Sequence, residues 1–483
     1  MNRRLVLYRV GQLLVLETFL LLLPLLVSII YGEHHCIKAF AMTMLIAAVP
    51  GLTLSFVLKP KTRVYFAKEG FALVSLAWVL VSLVGALPYF ISGEIPNYVD
   101  AVFETVSGIT TTGATILTDV EKMSHGLLFW RSFTHWIGGM GVLVLMMAIL
   151  PSNTGRSMHI MRAEMAGPII GKIVPKIKDT AKILYIIYLC LTVLETGFLL
   201  LGGMPLFDSI VYSLGTAGTG GFGIKADSVE SYSPYIQWVI TVFMLVFSLN
   251  FNLYYMLLLR RFRSFITNHE LWVFIGIVFI ASAVVGVCIY PIYGNVGDAA
   301  RHAMFQVASI SSTTGYSTAD FDRWPQLAKG VLFLLMFIGG CAGSTAGGLK
   351  VSRVMLLVKQ IQKEIKRMLH PRSVSAVKLE GKAVDDDTLR SVSTYFATYI
   401  LLNALAFILI CADGFDFQTN ITAAVSCVNN VGPGFGSIGP AFSYSGYSDF
   451  STIVLTFAML LGRLEIFPLL LAADPRLWLK RNG

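Results

Sequence analysis

Charge is what this sequence has little of. Asp, Glu, Lys and Arg make up 13% of its 483 residues, apolar residues 55%, and the mean hydropathy is +0.71. A soluble surface needs about twice that share of charge, so a water-soluble globular domain is excluded and a polytopic membrane protein is left. Patterns for thiol and metal chemistry are missing too. The six cysteines, Cys36, Cys190, Cys288, Cys341, Cys411 and Cys427, lie scattered, mostly in apolar runs, without a CxxC or metal-like spacing, and read as reduced packing residues. There is no HExxH, no GxSxG and no Walker A, and Gly218-x-Gly220-Gly221 lacks the strand-to-helix setting of a phosphate loop. An enzyme therefore has no constellation to stand on. The net charge of +9 does not imply nucleic acid, because basic residues gathered on one side of a bilayer are what orientation requires.

A further scarcity sets that orientation. Basic residues are absent from 414–450 and limited to Lys122 in 92–126 and Lys225 in 203–234. The alternate loops hold Arg156, Arg162, Lys172, Lys176 and Lys178, then Arg260, Arg261 and Arg263, then ten Lys or Arg in 350–390. The first set is expected outside and the second inside, with both termini cytoplasmic; the third unit, with Arg301, Arg323 and Lys329, follows this least well. Outside acidic residues Glu94, Asp100, Glu104, Asp119, Glu121, Asp208 and Asp227 are expected to draw cations toward a mouth.

What is present is a fourfold echo. Thr111-Thr112-Gly113, Thr219-Gly220-Gly221, Thr313-Thr314-Gly315 and Asn430-Val431-Gly432 recur with their final glycines 108, 94 and 117 residues apart. Each follows an apolar stretch too short to span, and each stretch lies between two runs near the roughly 20 residues a bilayer needs. The first runs (M1) fall near 71–90, 183–201, 271–290 and 393–411, and the second (M2) near 127–150, 236–259, 330–349 and 452–471. A leading pair at 13–31 and 39–58 adds a hairpin that needs no cleavable signal. The expectation is an all-α polytopic membrane protein of ten spans. Four M1-P-M2 repeats with re-entrant pore loops surround one ion pathway, and the units are 1–69 (hairpin), 70–178, 179–268, 269–390 and 391–483. Asp100, Asp208, His302 and Thr419 each stand 13 residues before the aligned glycine, so short pore helices of two to three turns are expected to start there, capped at Asp100, Asp208 and Thr419.

Such loops must line a cavity or be buried in protein. Backbone carbonyls can replace an ion's hydration shell, and glycine allows the φ/ψ values that turn them inward. In the third M2 the helical pattern meets Gly339, Gly340, Gly343, Gly347 and Gly348 with Ser344 and Thr345 between them. Each glycine costs a helix up to about 1 kcal/mol relative to Ala, so this segment is expected to be broken and to act as a gate, against the alternative that small residues serve close helix packing. Arg463 sits inside the last M2, where a charge requires a cavity or a partner. Glu465 or backbone carbonyls would supply the partner, or the arginine would form a barrier below the filter. His135, Arg131 and Glu195 read as structural pairs.

These motifs, with Trp136-Ile137-Gly138-Gly139-Met140-Gly141, 162–168 and Leu461-Gly462-Arg463-Leu464-Glu465, resemble the Trk/Ktr/HKT superfamily of potassium transporters, and its TrkH-type pore subunits in particular, over essentially the whole chain. The resemblance implies K⁺ uptake across a bacterial inner membrane. It also implies a homodimer of two separate pores and a TrkA-like cytoplasmic regulator through which alone a nucleotide, ATP/ADP or NAD/NADH, would act; no bound cofactor is expected. A Na⁺-conducting relative and a membrane scaffold are the rival classes. The basic stretch 359–378, with Lys363, Lys366 and Arg367, would meet that regulator or anionic lipid, through an amphipathic helix over 354–367.

Overall fold

The structure, a computed structural model, describes residues 2–60, 67–141, 177–372 and 376–478. The second half of the first M2, the motif at 162–168 and the basic residues Lys61, Arg63, Arg156, Arg162, Lys172 and Lys176 lie outside the described residues. The described residues are mostly helical, and among them one two-residue ribbon pairs Lys378–Leu379 with Lys382–Ala383. The polarity of the chain is inverted relative to a soluble protein. Thr110, Thr111, Thr112, Thr219, Thr313, Thr314 and Asn430 are fully buried, whereas Leu201, Ile30 and Val287 are 80%, 79% and 77% exposed. An apolar exterior around a hydroxyl-rich interior suits hydrocarbon as the solvent.

Among the described residues, six helices are long and apolar enough to cross a membrane: Arg3–Ile30, His34–Val57, Lys68–Ser92, Ala181–Leu201, His269–Tyr293 and Asp386–Asp413. The first begins ten residues before the expected 13–31, so Arg3, Arg4 and Arg9 lie within the helix and not ahead of it. The hairpin crosses where Gly11 and Gly51 meet, a Cβ at Gly11 falling 2.9 Å from the Gly51 carbonyl oxygen, which is the close approach small residues permit.

The second, third and fourth M2 segments are each interrupted, not the third alone. The second bends by 90° between Pro234–Phe247 and Phe251–Leu258, with the Asn250 side chain capping the new helix through Asn252 N at 2.9 Å. The third stops at Met336 and resumes as Val351–Leu369. The fourth breaks between Asp449–Arg463 and Phe467–Ala473, where Glu465 and Ile466 take φ of +54° and +67°. In the first, His125–Gly139 ends just before Gly141, at φ +79°. Apolar residues resume at once after Ser248 and Asn250 and after Glu465, which is why apolar length averaged over a span reads single spans there.

Between these pairs lie four short helices, Tyr98–Ile109, Leu206–Gly218, Val296–Ser311 and Phe417–Asn429, of 12, 13, 16 and 13 residues. They are about a turn longer than the two to three expected and start earlier. Their N-caps are Asn97, Pro205, Asn295 and Asp416, so Asp100, Asp208, His302 and Thr419 are helical residues and not caps. Asn97, Asn295 and Asp416 each accept a backbone N–H with the side chain, as good caps do. Asp100 and Asp208 then stand in the first turn, where the helix dipole favours a carboxylate.

Glycines lock M2 segments onto these helices. A Cβ on Gly138 would lie 1.8 Å from the Ile109 carbonyl oxygen, and one on Gly462 1.9 Å from that of Val428, so neither can be relieved by a side-chain rotation. We expect Gly138→Ala and Gly462→Ala each to lower the thermal midpoint of the detergent-purified protein, by an overpacking cost of about 1–3 kcal/mol. Gly197→Ala, whose Cβ meets nothing within 4 Å, should leave it unchanged; equal midpoints for all three would refute the packing account.

Candidate functional site

Each short helix ends in the same way. At the first, Thr111 N–H bonds the Gly108 carbonyl at 3.1 Å and Thr112 N–H that of Ser107 at 2.8 Å; the second repeats this with Thr219 to Thr216 and Gly220 to Gly215, both 2.9 Å. The third uses Thr313 to Ile310 and Thr314 to Ser309, the fourth Asn430 to Cys427 and Val431 to Ser426. This pair of 5→2 and 6→1 bonds is the Schellman motif, whose left-handed position is usually glycine. Here it is Thr111, Thr219, Thr313 and Asn430, at φ of +57°, +56°, +57° and +56°. The three threonines, being β-branched, are strained at such angles, at a cost of order 1–3 kcal/mol each, while asparagine tolerates them. Two residues on, Gly113, Gly221, Gly315 and Gly432 are left-handed again, at +80°, +76°, +87° and +101°. Alternating the sign of φ turns carbonyls that would point to opposite sides of an extended strand toward one side.

The four loops meet in a ring in chain order. A Cβ on Gly113 would fall 2.0 Å from the Gly220 carbonyl oxygen, on Gly221 1.9 Å from that of Thr314, on Gly315 2.4 Å from that of Val431, and on Gly432 2.6 Å from that of Thr112. Each glycine is thus required because the next loop's carbonyl fills the space of its missing side chain. Among the described residues the oxygens of Thr112, Gly220, Thr314 and Val431 accept no hydrogen bond, although all four residues are buried; buried backbone carbonyls are paired in the great majority of cases. The Gly432 carbonyl differs, since it accepts from Ser426 Oγ and Tyr444 Oη, both at 2.8 Å. The predicted filter residues Thr111, Thr112, Gly113, Thr219, Gly220, Gly221, Thr313, Thr314, Gly315, Asn430, Val431 and Gly432 therefore do come together. A cavity of about 440 Å³, to which Gly113, Gly221, Gly315 and Gly432 all contribute, opens on the side where the short helices begin.

Side chains brace every junction of the ring. Between loops one and two, His135 Nδ1 donates to the Gly108 carbonyl at 2.7 Å and Nε2 accepts from Phe222 N at 3.3 Å, which fixes a neutral tautomer. Beside it Arg131 pairs with Glu104 at 2.8 Å, donates to the Gly223 carbonyl at 3.2 Å and lies 4.0 Å over the Phe222 ring. Tyr316 Oη reaches the Tyr212 and Phe222 carbonyls at 3.3 Å between two and three. Asp322 accepts from Gly436 N at 3.1 Å between three and four, and Asn430 Nδ2 donates to Thr112 Oγ1 at 2.9 Å between four and one. Glu104 is hence neutralised inside the protein and cannot draw cations, contrary to expectation. Asp119 faces solvent, and its hydrogen bond to Lys122 holds it below the usual carboxylate range. Sequence reasoning missed Tyr316, Asp322 and Tyr444; the aromatic that follows the glycine in both Gly221-Phe222 and Gly315-Tyr316 was the available signal.

Beneath the ring lies the glycine-rich segment. It leaves and rejoins its helices at one point, where Gly339 N–H bonds Leu349 O at 3.0 Å and Leu349 N–H bonds Phe337 O at 3.2 Å. Gly347 N–H bonds Thr313 Oγ1 at 2.7 Å, and a Cβ there would fall 2.5 Å from the Asn429 carbonyl, so the segment abuts loops three and four. A Cβ on Gly339 would meet Gly347 O at 1.9 Å and one on Gly340 Ser248 O at 2.8 Å. Gly343 and Gly348 alone of the five are left-handed, at +75° and +65°. Ser344 Oγ closes a turn on Cys341 O at 2.6 Å, and Thr345 Oγ1 bonds Phe247 O at 3.1 Å. Arg463 donates to Thr345 O at 2.8 Å, Gly138 O at 2.6 Å and Gly139 O at 2.8 Å. Its anchors are carbonyls, and the acid two residues on is engaged elsewhere: Glu465 pairs with Arg353 at 2.6 Å. A small cavity of about 50 Å³, bordered by Gly343, Ser344, Gly347, Gly348 and Arg463, remains on this side.

A family model described as "TrkH: Cation transport protein" matches residues 36–479. The chain is 38% identical over 476 residues to the Trk system potassium uptake protein TrkH of Salmonella typhimurium, covering 97% of this chain and 98% of that protein. It is 33% identical to the Trk system potassium uptake protein TrkG of Escherichia coli, over 98% of each. The crystal structure of the potassium transporter TrkH from Vibrio parahaemolyticus superimposes with a TM-score of 0.89 at 34% identity, covering 99% of this chain and all of that one. With a match of this extent in family model, sequence and fold alike, the chain belongs to the TrkH family of cation transport proteins, a transport family and not an enzyme family.

Proposed function

We propose that this chain takes up potassium ions across the inner membrane of a bacterium through the ring of four loops. The observation that carries the reading is the tier of four buried carbonyls from Thr112, Gly220, Thr314 and Val431, unpaired among the described residues. Four carbonyl dipoles at one level can replace the water around a dehydrated monovalent cation. The C-terminal ends of the four short helices point at the same place and add negative potential there. The hairpin 1–69 and the four units 70–178, 179–268, 269–390 and 391–483 then form a ten-span protein in which each broken M2 counts once, with both termini cytoplasmic. The ion is the cargo, and no resident cofactor takes part.

In this reading the segment with Gly339, Gly340, Gly343, Ser344, Thr345, Gly347 and Gly348 is the gate and Arg463 its latch. Three carbonyls hold the guanidinium, two from the first M2 and one from the segment, so the latch ties the obstruction to the pore wall. Opening requires the Thr345 bond to be exchanged. Val351–Leu369 continues directly from the segment, over the expected 354–367, and exposes Ile361, Ile365, Met368 and Leu369 beside its Lys and Arg residues. A TrkA-like cytoplasmic regulator that binds ATP/ADP or NAD/NADH would move the gate through this helix by holding one of its positions better than another. Assembly is as a homodimer, in contact with membrane lipid and not with nucleic acid.

Three outcomes follow. In ⁸⁶Rb⁺ and ²²Na⁺ flux, Gly113→Ser and Gly221→Ser should reduce potassium over sodium discrimination by about tenfold or more, each tenfold being about 1.4 kcal/mol, with Gly315→Ser and Gly432→Ser weaker because their contacts are longer. Unaltered ion ratios in all four would sink the filter. Second, Arg463→Gln, or a shortened 339–348 segment, should raise flux in the absence of any regulator; wild-type flux from a folded variant argues against a gate. Third, reversing the charge of Lys363, Lys366 and Arg367 together should weaken co-purification of the regulator and uncouple nucleotide from flux. A triple variant that still binds and still responds assigns this helix to lipid.

A further inference from the structure

Among the described residues, one group of His, Cys and Glu side chains brings its ligand atoms together closely enough for a metal ion, at the end of the hairpin nearest the start of the first short helix. We propose that His35, Cys36 and Glu94 form a binding site for a transition-metal dication of the zinc class. His35 Nε2 lies 2.9 Å from Glu94 Oε1, Cys36 Sγ lies 3.5 Å from the same oxygen, and the three ligand atoms are all within 4.8 Å of one another. Zinc bonds of about 2.0 Å to nitrogen or oxygen and about 2.3 Å to sulfur set tetrahedral neighbours roughly 3.3–3.8 Å apart. The sulfur–oxygen distance already fits, and the nitrogen–oxygen pair needs to open by a few tenths of an ångström.

Two further features favour a metal over a plain hydrogen-bonded cluster. First, the carboxylate is oriented from behind: Glu94 Oε2 accepts from Ser124 N at 3.1 Å, while Ser124 Oγ stands 2.5 Å from Oε1 and 3.1 Å from His35 Nε2. Such outer partners fix ligand direction in metal sites. Second, the donor set is mixed and of suitable charge. One thiolate and one carboxylate balance a dication, the imidazole binds neutral, and the Cys36 proton leaves to solvent as the metal enters. Cys36 is buried and the Glu94 side chain 17% exposed, but that of His35 is 53% exposed, so an ion has an entrance and a fourth position is left for water. The neighbouring Glu33 adds negative charge while accepting from His125 N at 2.6 Å and Gly126 N at 3.0 Å.

The site is invisible in the linear sequence because its carboxylate stands 58 residues from its thiol. It also joins three elements: the second hairpin helix His34–Val57, the turn after Leu87–Ser92, and Ser124, the cap of His125–Gly139. A bound ion would therefore cross-link the hairpin to the first unit.

The test uses the full-length detergent-purified chain with affinity tags removed. Zn²⁺ titration followed by dialysis and metal analysis should find one ion per chain and a raised thermal midpoint. Co²⁺ in place of Zn²⁺ should give a thiolate-to-metal charge-transfer band that is lost in Cys36→Ser. His35→Gln, at an exposed position where folding is not at stake, should weaken binding by roughly tenfold or more. Sub-stoichiometric zinc without a midpoint shift, a charge-transfer band that survives Cys36→Ser, or unchanged affinity in His35→Gln would each overturn the assignment and leave a His–Glu–Ser hydrogen-bond cluster.

Discussion

The structure depends on one steric constraint: four backbone carbonyls occupy the places where four glycines would otherwise carry side chains. At Gly113, Gly221, Gly315 and Gly432 the approach is so close that no other residue fits. Because the contacts run from loop one to two, two to three, three to four and back to one, a displacement of any loop moves its neighbour's carbonyl. The bracing side chains serve this closure. His135, Tyr316, Asp322 and Asn430 each cross a different junction, so no junction relies on backbone contact alone.

The strain at Thr111, Thr219 and Thr313, and the left-handed turn at Asn430, belong to the same constraint. A glycine at those positions would be easier to bend, but it would also lack the side chains through which Asn430 reaches Thr112 and Thr313 receives Gly347. The chain accepts a left-handed threonine where glycine is usual, and ties the ring to what lies beneath it. The interruptions in M2 follow a related logic. A helix that ends within the membrane exposes carbonyls that only a donor can satisfy, and Arg463 supplies that donor for Gly138 and Gly139. The arginine is thus a solution to a broken helix as much as a charge in a costly place.

Much of this was legible in the residues. The fourfold echo located all twelve ring positions, because left-handed backbone leaves a glycine behind it, and the run from Gly339 to Gly348 announced a broken helix. The first left-handed position of each loop was not legible, since Thr in that conformation looks like any Thr. The starts of the short helices were misplaced because Asp100 and Asp208 are attractive caps, while Asn97 caps the first helix one turn earlier and Pro205 takes the N-cap position of the second without a side-chain bond. The breaks at Ser248–Asn250 and Leu464–Ile466 were hidden because the few polar residues there sit between long apolar stretches. The partner of Arg463 was open between a carboxylate and carbonyls, and Arg353, 112 residues from Glu465, is the long-range contact that no local pattern contains.

The ring closes between its first and last members. Thr112 and Asn430 are 318 residues apart, and Arg463 lies 325 residues beyond the Gly138 carbonyl it holds. During synthesis, then, a chain that has emerged through its third unit possesses three of the four carbonyls and neither closing contact. The first loop must wait, already inserted, for the last fifth of the polypeptide before its geometry is complete. Order of birth and order of assembly are opposed in this protein, and the segment made last finishes the site begun first.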